Sequence, residues 1–395
     1  MRPLTRHLLA ISLLLLALPA AVLITLPAAA TPARPGLIAT PTPIYTPDPS
    51  ITPAPPDWPP VLRYPPPFGR TWLPYAAIDF AAGPASLADP ARGRLYLAGD
   101  DTLAVYSTGP VPTRLADFPL PAGRLFLGPG GDRLYATTPA PNGGHATIHV
   151  IDAGTLAITA ALPYACPAGV DPCRILDLAE GPDRRLYVAP VAPQTRVDVL
   201  DGLTGDTLAA VIATSAPQPA AQLEIHGSHL YVAPADIDNH GTPDIGLAAY
   251  DISTAAPAFL AGYEAPVPLN GMRLSADGSL LFISSGYGFH VLDTEVFFTF
   301  RMGQYGVLRD LMPDRTVLLS TYDAAGRSAV YAYDPGLDGG NRGLNRRSPL
   351  AGDLTPYALA LPGGGIATLH DAAVILRRPI DRAAALPIVT SSDTR

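Results

Sequence analysis

Lysine is missing from this chain: all 26 basic residues are arginine. That excludes a lysine nucleophile, a Schiff-base lysine and the lysine of a phosphate-binding P-loop. Charge is sparse at 15% of residues, and the formal net charge is −8. A nucleic-acid partner is therefore not expected, because neutralising phosphates needs a basic face. Cysteine is limited to Cys166 and Cys173 in "YACPAGVDPCR". No CxxC, HExxH or GxSxG motif occurs, so no local signature of zinc, redox or serine-hydrolase chemistry is present. Tryptophan is limited to Trp58 and Trp72.

What the chain does have is proline, glycine and an apolar start. Its 47 Pro and 36 Gly predict a turn-rich fold with few long helices. Arg2, Arg6 and His7 precede an apolar run from Leu8 to Leu26, interrupted by Pro19, and Ala28–Ala30 follow. Residues 1–30 therefore read as a signal peptide or as a single N-terminal membrane anchor. Either reading puts the body outside the cytoplasm, secreted or held at the cell surface. In that setting Cys166 and Cys173 are expected to form a disulfide. Residues 31–70 are crowded with Pro, Thr and Ser and read as an extended, disordered spacer. Residues 71–390 form the folded body, and 391–395 a short tail.

The body repeats. A strand, a Gly/Asp/Pro turn and a second strand recur as "ADPARGRLYLAG", "GPGGDRLYATT", "EGPDRRLYVAP", "IHGSHLYVAP", "SADGSLLFISS", "MPDRTVLLST" and "LPGGGIATLH". A third strand follows each, and five of the seven end in aspartate: Asp152, Asp201, Asp251, Asp293 and Asp334. Aspartate there is placed to accept from the amides of the next turn. Equivalent strands recur every 36 to 52 residues or so, the period of a β-propeller. The expected fold is all-β, with seven four-stranded blades behind the signal or anchor helix and the Pro-rich linker. Stacking blades buries both faces of each, and closing the ring limits exposed edges. Either 72–80 or 384–390 can supply the closing strand.

The units resemble the YVTN family of seven-bladed propellers, with "SADGSLLFIS" followed by "FHVLDTE" the nearest match. The resemblance covers about residues 80–380. It implies a propeller outside the cytoplasm and says little about activity, since such propellers range from surface-layer proteins to enzymes. The last unit, "GGGIATLHDAAVILRR", departs from the pattern by lacking the aspartate.

Two constellations are candidates for chemistry. Aligning the innermost strands places Ser86, Leu125, Asp177, Glu224, Arg273 and Asp310 at one level of the ring. Asp177, Glu224 and Asp310 can hold a divalent cation and Arg273 an anionic substrate, as the resemblance to propeller lactonases implies. The same set can instead be an internal salt-bridge network. The second constellation is "DIDNHGTPDIG", which resembles the calcium loops of FG-GAP and dockerin-like sites. Asp236, Asp238 and Asp244 fill its first, third and ninth positions, His240 the fifth, and the Thr242 carbonyl the seventh. An imidazole at His240 is a poor ligand for a hard cation, so a structural calcium and an empty acidic turn both remain open. His149 and His290 share a third-strand position in non-adjacent units. His226 and His229 flank one tight turn, and a zinc site there would need further ligands.

Two functions are consistent with these residues. One is an exported, non-catalytic propeller that binds a protein or glycan at the cell surface. The other is a lactonase-like, metal-dependent hydrolase using Asp177, Glu224, Arg273 and Asp310. A quinone-cofactor dehydrogenase fits less well, because both tryptophans precede the main repeats. Calorimetric titration with calcium separates the two readings of the loop: binding by the wild type that is lost in Asp238→Ala marks a metal site. Flat traces for both would remove the loop as a metal site.

Overall fold

The computed structural model describes residues 71–380, except for 141–143, 168–171, 193, 215–220, 237–244, 264–268, 286–287, 296–298, 303–305, 323–327, 334–346 and 350–356. All of these lie within the compact unit Leu62–Arg395. The expected signal or anchor, the linker, the alternative closing segment 384–390, the tail and Asp334 fall outside the described residues. No helix among the described residues is long and apolar enough to cross a membrane.

The chain folds as a β-propeller of four-stranded antiparallel blades, and seven such sheets are present. Blade 1 runs outward from Leu87–Asp89 through Arg94–Ala98 and Leu103–Ser107 to Arg114–Phe118. Blade 2 is built from Arg124–Leu127, Arg133–Thr138, Ala146–Asp152 and Ala157–Tyr164. Blade 3 is built from Ile175–Glu180, Leu186–Pro190, Thr195–Leu200 and Thr207–Thr214. Blade 4 is built from Gln222–His226, His229–Asp236, Ile245–Asp251 and Ala258–Tyr263. Blade 5 is built from Leu269–Leu274, Leu280–Ser285, Gly288–Asp293 and Thr299–Met302. Blade 6 is built from Val307–Leu311, Val317–Tyr322, Ser328–Tyr333 and Arg347–Pro349. Blade 7 takes Tyr357–Ala360, Ile366–Leu369 and Ala373–Ile380 from the end of the body and Thr71–Asp79 from its start. The first strand of each blade neighbours those of the two adjacent blades, so these strands ring the axis.

Ring closure is therefore made by the N-terminal strand. Thr71–Asp79 pairs antiparallel with Ala373–Ile380, from Thr71 opposite Ile380 to Asp79 opposite Ala373. Trp72 is buried, and its indole Nε1 donates to the Gly364 carbonyl at 3.0 Å. A tryptophan that stands apart from the repeats in sequence thus locks the first strand to the last blade.

The repeated Leu-Tyr pair explains the packing. Second strands lie between two neighbouring blades and are buried on both faces, so their apolar residues run consecutively rather than alternating. Leu95, Leu134, Leu186, Leu230 and Leu281 are all buried. So are Tyr96, Tyr135, Tyr187 and Tyr231, and Phe282 takes the equivalent place in blade 5. Outer strands face solvent on one side, and Ala157–Tyr164 alternates accordingly toward its end. The turn before each second strand carries a residue in the left-handed region. Glycine fills it at Gly93, Gly131, Gly227 and Gly278, and arginine at Arg184 and Arg315.

The aspartates that end the third strands cap the following turn. Asp152 Oδ1 accepts from the amides of Gly154 (3.0 Å) and Thr155 (2.7 Å), and Asp201 Oδ1 from those of Leu203 (2.7 Å) and Thr204 (3.0 Å). Asp251 and Asp293 each accept from the amide two residues on. Cys166 and Cys173 form the disulfide.

Arginines of the "RLY" pattern tie blades 1 to 4 together in order. Arg94 donates to the carbonyls of Ala153 and Gly154 in blade 2, and Arg185 to those of Ile252 and Ser253 after the third strand of blade 4. Arg133 pairs with the buried Glu180 of blade 3 at 2.8 Å.

The inner strands approach one another closely at Gly271. A Cβ there would lie 2.6 Å from the Leu308 carbonyl oxygen and 2.7 Å from its Cβ in blade 6. Gly271→Ala is expected to destabilise the protein by about 1–3 kcal/mol through overpacking of this junction. Urea denaturation checks it, and an unchanged midpoint would mean that blades 5 and 6 are not in close contact at the axis.

Candidate functional site

Inner strands of a propeller have one hydrogen-bonding edge with no further strand beside it. Their amides need acceptors from elsewhere, or they remain costly buried donors. At the axis this need is met by side chains. Inner-strand register shifts between Ile175 and Asp177 in blade 3, and between Leu308 and Asp310 in blade 6. Such bulges re-aim a side chain. Both aspartates then act alike. Asp177 Oδ1 accepts from the Leu178 amide at 3.0 Å, and its Oδ2 from the Leu223 amide of blade 4 at 2.9 Å. Asp310 Oδ1 accepts from the Leu311 amide at 2.9 Å, and its Oδ2 from the Ala360 amide of blade 7 at 2.8 Å. In blade 5 the Ser284 hydroxyl oxygen accepts from the Leu308 amide of blade 6 at 2.9 Å.

Asp177, Leu223, Leu308 and Asp310 line an axial cavity of about 480 Å³. The six residues that the sequence alignment places at one level all border it: Ser86, Leu125, Asp177, Glu224, Arg273 and Asp310. Two further charged residues, Arg124 and Arg309, also border it. Each sits one position before the aligned residue of its blade. Arginine at that offset in both "GRLFL" and "VLRDL" is the signal that could have found them.

Charge is distributed unevenly around the cavity. Arg124 closes on Asp177, with Nε and Nη2 at 3.0 and 2.9 Å from the same Oδ1. Arg273 Nη1 donates to the Met272 carbonyl at 2.9 Å and lies 3.4 Å from Glu224 Oε1. Arg309 Nε donates to the Ser320 hydroxyl at 2.7 Å, and its guanidinium lies 4.7 Å over the Tyr357 ring. Burial pushes Glu224 up to about 7; Arg273 opposes the shift and Asp177 adds to it. Burial also raises Asp310, against the pull of Arg273 and the two amides.

As a metal centre this arrangement is poor. Calcium takes six to eight oxygens, and other divalent ions also need unshared carboxylate lone pairs. Asp177 Oδ1 already takes the Leu178 amide and both nitrogens of Arg124, the carboxylates of Asp177 and Asp310 are turned to neighbouring blades, and three guanidinium groups repel a cation. Among the described residues, no three His, Cys, Asp or Glu are grouped so as to hold a metal ion. Of the calcium-like loop, Asp238, His240, Thr242 and Asp244 lie outside the described residues. Asp236 ends its strand opposite Ile245, so the loop joins the second and third strands of blade 4. His226 and His229 face one another across their hairpin. His149 and His290 stay apart, in blades 2 and 5, and the His149 Nε2 lies 3.4 Å from the Thr138 hydroxyl.

No family model matches the chain, and no curated protein matches it. Among solved structures, 1113 chains match, so the fold is widely shared. One is hydrazine synthase from Kuenenia stuttgartiensis, 11% identical, with a TM-score of 0.55, over 77% of this chain and 97% of that one. At that identity the likeness carries the propeller fold and nothing of activity.

Asp177→Ala is expected to destabilise the protein by about 3 kcal/mol, since it strands Arg124 and the Leu223 amide. Glu224→Ala, which removes one long contact, should cost far less. Equal losses for the two in chemical denaturation would contradict the clasp role of Asp177.

Proposed function

We propose that the protein is an exported, non-catalytic β-propeller that binds a partner at the cell surface. The observation that carries this reading is the commitment of Asp177 and Asp310 to amides of neighbouring blades. A lactonase-like hydrolase would need those carboxylates turned to its cation, whereas they are turned to neighbouring blades and Asp177 is also held by Arg124. The Cys166–Cys173 disulfide fits an oxidising compartment outside the cytoplasm. A protein or glycan partner would dock on the rims or at the channel mouth. Leu203, Leu208 and Ile212 support rim docking, being 70%, 47% and 44% exposed along the outer edge of blade 3. Kinship with YVTN propellers and a structural calcium staple at Asp236–Asp244 belong to the same reading.

Metal analysis of the purified protein, together with a panel of lactones and esters, tests it. The expected result is no stoichiometric metal at the axis and no turnover. Stoichiometric metal that is lost on Glu224→Ala, accompanied by turnover, would replace this reading with the hydrolase.

A further inference from the structure

Three arginines and three carboxylates border the axial cavity, and they are not equally engaged. Arg124 is held by Asp177 through two nitrogens. Asp310 is held by two amides. Arg309 is fixed between the Ser320 hydroxyl and the face of Tyr357. Arg273 differs. It uses Nη1 alone, and its 3.4 Å approach to Glu224 is long for a pair that usually closes to 2.7–2.9 Å. Its Nε and Nη2 have no protein acceptor among the described residues. Its side chain keeps 35% of its exposure and that of Glu224 19%, so both are reached by solvent. A planar fork with unused donors, in a cavity of ligand size, suits an incoming carboxylate. Leu125, Leu223, Leu308 and Leu359 supply apolar wall for the rest of such a molecule.

We propose that the axial cavity binds a small organic monocarboxylate, whose carboxylate takes the Arg273 guanidinium and displaces Glu224 from it. This rests on reading the protein as a binding module and names a ligand class for its channel. Charge balance limits the site to one anion. The three arginines and three carboxylates sum to zero, so a bound monoanion leaves one negative charge unless a carboxylate takes up a proton. Glu224 is the group suited to do so. Burial already lifts it to about 7, and losing Arg273 to the ligand raises it further. The groups around it are Arg273 from blade 5, Asp177 from blade 3, Arg124 from blade 2 and Tyr231 on the adjacent strand. Tyr231 is pushed up to about 12 and stays neutral. Binding therefore draws in a proton above neutral pH. Affinity should rise as pH falls from 9 towards 7, by up to about tenfold per pH unit, and level off below.

Calorimetry on the full chain with hexanoate, hexanamide and hexylamine tests the inference, with acetate and benzoate as size probes. Hexanoate is expected to bind at least about tenfold more tightly than the amide or the amine, one hydrogen-bonded charge pair being worth that much. Arg273→Gln should lose that advantage while its far-UV circular dichroism and melting temperature stay as in the wild type. Glu224→Gln keeps Arg273 and should bind hexanoate at the low-pH affinity at every pH. That variant decides the matter if Arg273→Gln fails to fold. Equal binding of hexanoate and hexanamide overturns the proposal. So does a folded Arg273→Gln that binds like the wild type, or a pH slope that survives in Glu224→Gln. If none of the carboxylates binds, and metal and turnover are also absent, this inference falls and the binding-module reading stands. Metal with turnover would remove both.

Discussion

The propeller depends on satisfying the inner edges of its blades. Each innermost strand hydrogen-bonds outward to its own sheet and presents its other edge to the axis. Asp177, Ser284 and Asp310 accept amides of the following blade there, at 2.8–2.9 Å. Leaving such a donor unmet inside the ring costs about 1–3 kcal/mol. Three junctions closed in this way account for a large part of the marginal stability of a domain. The same carboxylates are thereby turned toward the blade junctions, and Asp177 is also held by Arg124. Among the charged groups at the axis, Glu224 and Arg273 are the pair that this structural demand holds least.

The composition turns out to have a structural side. Arg94 and Arg185 each reach two carbonyls of the next blade, and Arg185 also pairs with Asp183. A guanidinium has five donors in one plane and can address several acceptors at fixed angles. Lysine, whose three donors sit on one compact ammonium, lacks the planar spread that lets a guanidinium do this at fixed angles. The absence of lysine, which first limits the possible catalysts, also matches how the blades are fastened.

Much of the fold was legible in the sequence. Leu-Tyr recurring after a Gly/Asp/Pro turn marks the buried second strands, and aspartate at the third-strand ends marks their turns. Both signals are local, so the chain displays them directly. The alternative closing strands could not be separated, because pairing between residue 72 and residue 379 leaves no local trace. At the axis the alignment brought the right residues together but missed Arg124 and Arg309. The bulge at Leu308/Asp310 shifts the register beside Arg309, and an apolar–polar alternation reads the same with or without it; the inner strand of Arg124 has no such shift. Which carboxylates are occupied was not legible, since their partners are backbone amides that every residue but proline carries.

The bond from Trp72 to Gly364 joins residues 292 positions apart. The first strand of the body thus has no sheet to enter until the last blade exists. A ribosome or a translocon delivers Thr71–Asp79 first, and this strand must wait, edge unpaired, for the other six blades and most of the seventh. Closing so long a loop is slow, and a waiting edge strand can pair with a neighbouring chain. A run of prolines just before it, which cannot donate to a ladder, keeps the segment leading into that strand from extending the mispairing.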